Sequence, residues 1–292
     1  MKKIRYIINP NSGATSKEHF AEWIKAYVDT SQFDLDIAYT KAPHHATELA
    51  REAATMNYDI VVVVGGDGSV NEVGKGLVGS KTSMGIIPTG SGNGLARHLG
   101  IPLDFQEAVR MINHSYTERI DTLTINDKFC AGTFGIGFDA HIAHLFATAG
   151  TRGYSTYVKL VLTEFFKYKS RDFTILVDGK EYVKNCFLLT FANSSQFGNN
   201  AIIAPFADIQ DGIIDISIVK KFPLVFAPHL IYRMMKNNLH GSRYFDRLTG
   251  KSITVKNSGN LKGHIDGEPV ELAGDINIQM HPLSLNVVVR KK

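Results

Sequence analysis

The chain has 292 residues, which is longer than most single domains, so two domains are expected. Its 32 Lys and Arg residues nearly balance its 28 Asp and Glu residues, which argues against nucleic acid as a partner. Two cysteines without metal spacing, no recognisable signal peptide and no apolar run of about 18–20 residues predict a reduced cytoplasmic protein without a membrane span.

The first part of the chain alternates between short apolar runs and amphipathic segments. Apolar runs at 4–8, 35–40, 59–64 and 84–88 predict strands. Segments at 16–29, 44–56 and 69–78 between them predict helices, followed by two short helices at 93–99 and 105–112. This alternation is typical of a parallel sheet with crossover helices and predicts an α/β domain over 1–121.

From about residue 121 the pattern changes to strands joined by turn dipeptides. The turn signals are "NDK" at 126–128, "DGK" at 178–180, "DG" at 211–212 and "DGE" at 266–268. Two longer segments, 154–169 and 223–239, predict helices, and Pro228 should bend or delay the second one. We therefore predict a β-rich second domain over 122–292.

Three glycine-rich loops follow predicted strands of the first domain. They are "NPNSG" at 9–13, "GGDGS" at 65–69 and "PTGSGNG" at 88–94. The carboxyl ends of parallel strands meet at one edge of a sheet, where helix N-termini suit phosphate groups. Neither a P-loop, a GxGxxG fingerprint nor the protein-kinase motifs can be aligned here, so the loops predict a different kind of phosphate site.

Asp67 lies inside the second of these loops and narrows the kind of ligand. Two unit charges about 4 Å apart repel by about 4 kcal/mol at an effective dielectric of about 20, so a carboxylate beside bare phosphate weakens binding. A divalent cation removes this conflict. The loops therefore predict a Mg²⁺-nucleotide, with Asp67 contacting the cation directly or through water.

Five motifs in order resemble the signature of the diacylglycerol-kinase-type lipid kinases. They are "GGDGSVNEV" (65–73), "PTGSGNGLAR" (88–97), "GFDA" (137–140), "DGIIDI" (211–216) and "DGEP" (266–269). That family includes sphingosine kinases and soluble bacterial lipid kinases, and it shares GGDG with NAD kinases and phosphofructokinases. The resemblance runs from about residue 4 to about residue 290.

The resemblance implies a Rossmann-like N-terminal α/β domain, a C-terminal β-sandwich-like domain and ATP in the cleft between them. The implied ATP contacts are Asn9, Pro10, Asn11, Ser12, Gly13, Thr40, Gly66, Asp67, Gly68, Ser69, Val70, Asn71, Glu72, Thr89, Gly90 and Ser91. It also implies a metal position at Asp208, Asp211 and the carbonyl of Ile213, either structural or catalytic.

The "HIDGEP" segment supplies two acids that could take the proton from a substrate hydroxyl. If this segment is extended, Asp266 and Glu268 project to one side, and their repulsion raises one pKa. The alternative is a glycine-containing hairpin with two solvated acids. The resemblance implies that the general base belongs to this DGE, and it leaves open which acid serves.

Two positions depart from the family pattern. Ser69 replaces the commoner threonine of GGDGT and keeps the hydroxyl. Gly94 stands where bacterial diacylglycerol kinases usually have an aspartate of the metal network, and "GSGNGLA" is closer to sphingosine kinases. The form of the metal network and the identity of the lipid therefore stay open.

A basic stretch at 220–251 could meet a membrane. It contains Lys220, Lys221, Arg233, Lys236, Arg243, Arg247 and Lys251 against the single acid Asp246. Apolar residues in the same stretch favour interfacial binding to anionic lipid, at about 1 kcal/mol for each cation. The alternative is a core-packing helix with a solvated basic edge.

The sequence thus predicts an ATP- and Mg²⁺-dependent kinase that phosphorylates a lipid hydroxyl, on diacylglycerol or a sphingoid base, at a membrane surface. Alternatives are an NAD kinase-like enzyme acting on a soluble molecule and a nucleotide-binding sensor without catalysis. A homodimer and a peripheral place at the inner membrane surface stay open.

Overall fold

The computed structural model describes residues 1–10, 19–114, 116–149 and 154–290. The chain divides into two compact units. One comprises the chain up to Thr122 together with the segment that begins at Pro282, and the other is Leu123–His281. This division differs from the sequence-based one at 121/122, because the end of the chain rejoins the first unit.

Strands and helices alternate in the first unit. Its elements are β1 (Lys2–Ile8), α1 (Phe20–Tyr27), β2 (Phe33–Tyr39), α2 (His45–Thr55), β3 (Ile60–Gly65), α3 (Asp67–Leu77), β4 (Ser83–Pro88), α4 (Gly94–His98) and α5 (Phe105–Asn113). Two strands cross the boundary between the units, β5 (Tyr116–Ile125) and β16 (Ile276–Val289).

The sheet of the first unit is parallel, in the order β2-β1-β3-β4, and Val287 of β16 pairs in parallel with Met84 of β4. Four valines of β3, residues 61–64, have no exposed surface, as expected for a strand covered on both faces. On the helix side, Phe20 of α1 stacks on Phe105 of α5, with ring centroids 4.6 Å apart. The α/β prediction is confirmed.

The second unit is rich in antiparallel strands. Its elements are β6 (Lys128–Cys130), β7 (Thr133–Gly137), α6 (Phe138–Thr148), α7 (Tyr154–Lys167), β8 (Arg171–Val177), β9 (Lys180–Cys186), β10 (Leu188–Ala192), β11 (Ile214–Val219), α8 (Ala227–Met235), β12 (Phe245–Gly250), β13 (Ser252–Val255), β14 (Asn260–Ile265) and β15 (Glu268–Ala273).

Two antiparallel sheets make a sandwich in this unit. One contains β9, β8, β13 and the first part of β16, and the other has the order β12-β11-β10-β7-β14-β15. A single apolar cluster takes residues from both sheets, including Phe173 of β8 and the stacked Phe134 and Phe191 of β7 and β10. The prediction of a β-rich second part is confirmed.

The helices of the second unit differ from the prediction in two places. Helix α6 was not predicted. The helix expected at 223–239 is shorter: a 3-10 turn, Leu224–Phe226, precedes α8, which ends at Met235. Its late start agrees with the delay predicted for Pro228, which lies in the first turn of α8, where its missing N–H costs nothing. Within the described ranges, no helix combines the length and apolarity that crossing a bilayer requires.

Candidate functional site

The glycine-rich loops of the first unit follow β1, β3 and β4. The amide of Asn9 donates to the hydroxyl of Ser69 at 3.0 Å, and the backbone N–H of Thr89 donates to the carbonyl of Gly65 at 2.9 Å. These bonds tie the three loops to one another at the carboxyl ends of the strands. The predicted ATP contacts Asn11, Ser12 and Gly13 lie outside the described residues.

Two glycines bring the second and third loops into backbone contact. A Cβ added to Gly90 would lie 2.7 Å from the Cα of Gly66 and 3.0 Å from Oδ1 of Asn93. Gly66 itself has an extended conformation, with φ of −91°. The glycines are therefore required by close approach rather than by a left-handed backbone.

Asp67 anchors the same contact from its side chain. Its Oδ2 accepts the N–H of Asn93 at 2.8 Å and its Oδ1 accepts the N–H of Gly94 at 2.7 Å. Both donors lie where α4 begins, so the carboxylate bridges the starts of α3 and α4. Gly94, which stands where the family usually has an aspartate, thus bonds to Asp67 through its backbone N–H. The contact of Asp67 with a cation stays a prediction.

Other predicted ATP contacts have structural partners. The side chains of Ser69 and Val70 are buried. The Glu72 carboxylate accepts the N–H groups of His44 at 2.9 Å and Ala46 at 3.2 Å, which caps the N-terminus of α2. Thr40 donates its N–H to Ile8 at 2.9 Å. The remaining predicted contacts are partly or fully exposed: Pro10 after β1, Gly68 and Asn71 near the start of α3, and Ser91 in the third loop.

In the second unit, Asp266 and Gly267 form a two-residue hairpin turn between β14 and β15. Their φ angles are 49° and 86°, the two left-handed residues of a type I′ turn. Of the two alternatives, the glycine-containing hairpin is therefore the one that the structure has, and the extended segment with both acids on one side is excluded. Glu268 begins β15 and is exposed, whereas Asp266 is half-buried.

The carboxylate of Asp266 lies in a concavity of consecutive backbone N–H groups. It accepts Ala131 at 2.9 Å, Gly132 at 2.8 Å and Thr133 at 2.9 Å. A Cβ on Gly132 would lie 3.0 Å from Oδ1 of Asp266, so glycine is needed for this approach. Such concavities stabilise anions and hold the carboxylate in one position.

A buried histidine–aspartate pair lies beside this turn and was not predicted. The imidazole of His264 and the carboxylate of Asp139 are 3.0 Å apart, and both side chains are at least nine-tenths buried. Gly135 leaves room for them, because an added Cβ would collide with both Oδ2 of Asp139 and Nε2 of His264. Asp139 belongs to the GFDA motif and His264 to the HIDGEP segment, but no local sequence pattern predicts a contact between residues 125 positions apart.

Buried polar atoms without a hydrogen-bond partner occur in the pair itself and in or just after the neighbouring strand β10. Gly135 pairs across the sheet with Thr190 on one side and His264 on the other, so these residues share a face. Within the described part of the chain, Oδ1 of Asp139, Nδ1 of His264, Oγ1 of Thr190 and Oγ of Ser194 are buried without a hydrogen-bond partner. Such groups are costly unless water or a polar ligand satisfies them.

Cys130 lies next to the Asp266 turn. Its Sγ is 3.5 Å from Oδ1 of Asp266. Burial, followed by the negative charge of Asp266, raises the pKa of the Cys130 thiol well above its ordinary value. The thiol therefore stays protonated and is unsuited to be a nucleophile.

The predicted metal position lies just before β11. Oδ1 of Asp208 accepts the N–H of Gln210 at 3.0 Å, and Oδ1 of Asp211 accepts the N–H of Ile213 at 2.8 Å. Among the described residues no group of three or more His, Cys, Asp or Glu is placed to hold a metal ion. The predicted set has only two carboxylates and one carbonyl, so it stays a prediction.

Two family models match the chain. Residues 3–125 match the diacylglycerol kinase catalytic domain. Residues 132–289 match the YegS C-terminal NAD kinase beta sandwich-like domain. Both matches fall on the parts that carry the glycine-rich loops and the Asp266 turn, respectively.

Individual relatives agree with these matches. The chain is 26% identical to the diacylglycerol kinase of Bacillus subtilis (strain 168), over 92% of this chain and 90% of that protein. It is 30% identical to a "Probable lipid kinase YegS-like" of Chromohalobacter salexigens, over 76% and 73%. A solved structure described as a diacylglycerol kinase from Bacillus anthracis str. Sterne has a TM-score of 0.73 at 21% identity, over 99% and 97%. The chain belongs to the family of diacylglycerol kinases and YegS-like lipid kinases.

Proposed function

We propose that this protein transfers the γ-phosphate of ATP to the hydroxyl of a lipid, either diacylglycerol or a sphingoid base, with the help of Mg²⁺. The observation that carries the proposal is the contact of Gly66 with Gly90, beside which Asp67 is fixed by the N–H groups of Asn93 and Gly94. Backbones without side chains allow close approach of phosphate oxygens.

Asp67 supplies the kind of oxygen that suits Mg²⁺, which prefers carboxylate and water oxygens. Asp67 would hold the cation directly or through water. When bound, Mg²⁺ neutralises the phosphate charge and orients the leaving group. Asp67 is held at a fixed position by two N–H groups and needs no reorganisation for this role.

For the base we propose Asp266 rather than Glu268. Phosphoryl transfer depends mainly on positioning. Asp266 is held by three N–H groups and is half-buried, on the hairpin that carries the buried His264, whereas Glu268 is exposed at a strand start. Glu268 has no comparable support among the described residues.

A lipid acceptor is favoured over a soluble one by the family. Relatives across most of the chain carry the names diacylglycerol kinase and lipid kinase. An NAD kinase-like activity is the second candidate, since the second family model is described as NAD kinase-like in its fold.

The test offers labelled ATP and Mg²⁺ with diacylglycerol, sphingosine, ceramide or NAD to the purified protein. We expect label in diacylglycerol or sphingosine. Label in NAD alone, or in no acceptor while ATP still binds, contradicts the proposal.

A matched pair of variants tests the first unit. Asp67→Asn should abolish turnover. Asp59→Asn is the control, because Asp59 also accepts a backbone N–H, from Lys3 at 2.7 Å, but precedes β3 and so lies at the opposite end of that strand. Equal loss in both variants would show that Asp67 acts only through folding.

A further inference from the structure

Helix α8 and the turn before it expose apolar side chains. Val225 is 78% exposed, Ile231 56%, Tyr232 59% and Met235 56%. Ile231 and Met235 are four residues apart and so lie on one side of the helix. Leu230 and Met234, by contrast, pack into an apolar cluster of the second unit. The helix is therefore anchored through one side and leaves a second apolar side in water.

Basic side chains accompany this exposed side. The Arg243 guanidinium lies 5.6 Å from the ring centroid of Phe226, at the start of α8, and the exposed Lys236 follows at the end of the helix. Arg233 lies on the other side of α8, where its guanidinium donates to Nε2 of His229 at 2.8 Å and to the carbonyl of Asn238 at 3.1 Å. We call Lys236, Arg243 and the apolar residues Val225, Phe226, Ile231, Tyr232 and Met235 the α8 surface.

The nearby carboxylates are paired with cations outside the α8 surface. Asp246 pairs with Lys220 at 3.0 Å, and Asp215 pairs with Arg247. Within the described ranges, no carboxylate forms an ion pair with Lys236 or Arg243. The α8 surface therefore has a net positive charge.

We propose that the α8 surface docks on an anionic lipid bilayer. A short amphipathic helix with apolar residues on one side and cations beside them lies in the plane of the membrane interface, with the cations at the head groups. A second copy of the chain fits less well, because the same cations would face each other. Nucleic acid offers the phosphates but nothing to cover the exposed apolar residues.

The inference goes beyond the phosphoryl transfer proposed above and is tested without ATP. Sedimentation with phosphatidylcholine vesicles, with and without phosphatidylglycerol, should show binding only to the anionic vesicles, and high salt should weaken it. Lys236→Ala and Arg243→Ala should each lower partitioning about fivefold, as expected for one cation near such a surface. The double variant Ile231→Ser, Met235→Ser should lose binding.

Matched controls are available elsewhere in the second unit. Val183 on β9 is 62% exposed, and Lys262 on β14 is also exposed. Val183→Ser and Lys262→Ala should bind as the unchanged protein does. Equal binding to neutral vesicles, or equal loss in the controls, overturns the proposal. So does a dimer in the absence of lipid that Ile231→Ser, Met235→Ser dissociates.

Failure of this proposal is distinguishable from failure of the kinase assignment. If the α8 variants phosphorylate a water-soluble short-chain diacylglycerol normally but fail on vesicles, both proposals hold. If the protein binds anionic vesicles but labels no lipid, only the kinase assignment fails.

Discussion

Two hairpin turns of the second unit have the same sequence and backbone but different surroundings. Asp178–Gly179 joins β8 to β9, and Asp266–Gly267 joins β14 to β15. The φ angles are 48° and 84° in the first and 49° and 86° in the second. As local structures the two turns are equivalent.

Each aspartate also bonds to a neighbouring segment in the same way. Asp178 donates its N–H to Ser252 at 2.9 Å and accepts N–H groups from Lys251 and Ser252. Asp266 donates to Thr133 at 2.8 Å and accepts three N–H groups from 131–133. In both hairpins, the bonds between the aspartate carboxylate and backbone N–H groups fix the turn to a neighbouring segment. Such bonds therefore do not by themselves identify a catalytic base.

The surroundings separate the two. Asp178 is exposed and its donors are exposed residues at the start of β13. Asp266 is half-buried next to Cys130, and its hairpin carries His264, which pairs with Asp139 of α6. The proposed role of Asp266 therefore depends on the residues around its turn, not on the turn itself. The Asp178 turn is the control in the experiments below.

The largest expected difference is in turnover. Asp266→Asn should lower kcat by about 10²–10⁴-fold, the usual contribution of a general base, whereas Asp178→Asn should leave kcat unchanged. Both variants replace an acceptor oxygen by an NH₂ group. Asp266→Asn should lose about 1–3 kcal/mol of unfolding free energy, and Asp178→Asn should lose less because the donors there are exposed to water. Steady-state kinetics and urea unfolding measure the two effects; equal kcat values would break the distinction.

The next effect concerns the buried pair. Gly135→Ala should lower the unfolding free energy by about 1–3 kcal/mol, because its Cβ would collide with Asp139 and His264. Gly135→Ala should cost less in a His264→Ala background, which lacks one of the two groups that the added Cβ meets, so a double-mutant cycle should show coupling. Urea denaturation measures both; a Gly135→Ala protein of unchanged stability would contradict the packing described for the pair.

The two turn glycines should behave alike. Gly179→Ala and Gly267→Ala each place an L-residue at a left-handed φ, which costs about 1–2 kcal/mol, and an added Cβ meets nothing within 4 Å at either position. Thermal unfolding should therefore shift equally in the two variants. A much larger shift for Gly267→Ala would mean that the turns differ in backbone strain as well as in surroundings.

The smallest effect is a pH dependence from Cys130. Its pKa is raised above the ordinary value of 9.0, so the unfolded thiol ionises first and stability is lost as pH rises above about 9.0. Asp266→Asn removes a neighbouring negative charge and should lower the pKa of Cys130, which weakens this loss; Asp178→Asn should not. Unfolding free energies across this pH range, with Cys130→Ala as the reference, measure the difference.

Local sequence patterns predicted most of the fold. The valines at 61–64 and the segments that follow them indicated a buried parallel strand and its crossover helix, and the Asp-Gly dipeptides indicated hairpins. Helix α6 was missed because His141 and His144 interrupt its apolar positions, although both lie against the fold: His144 contacts carbonyls of β14 and β15.

The candidate site was predicted less completely. Asp67 and Asp266 stand in readable motifs, and the order of strands and loops placed the glycine-rich loops at one edge of the sheet. The close approach of Gly66 to Gly90 was not predicted. The role of Glu72 as a cap for α2 and the pairing of His264 with Asp139 depend on long-range packing, which no local pattern encodes. The sequence left an extended segment and a hairpin open for Asp266 and Glu268, and the structure has the hairpin, because two consecutive left-handed residues reverse the chain between them.

The return of β16 to the first unit has a consequence for synthesis on the ribosome. Strand β4 is translated long before Val287 of β16, its parallel neighbour. Until then the hydrogen-bonding edge of β4 has no final partner, and such an edge is a template for pairing with other chains. Nascent chains stalled before residue 282 should therefore be more prone to aggregate through this edge than chains in which β16 has left the ribosome.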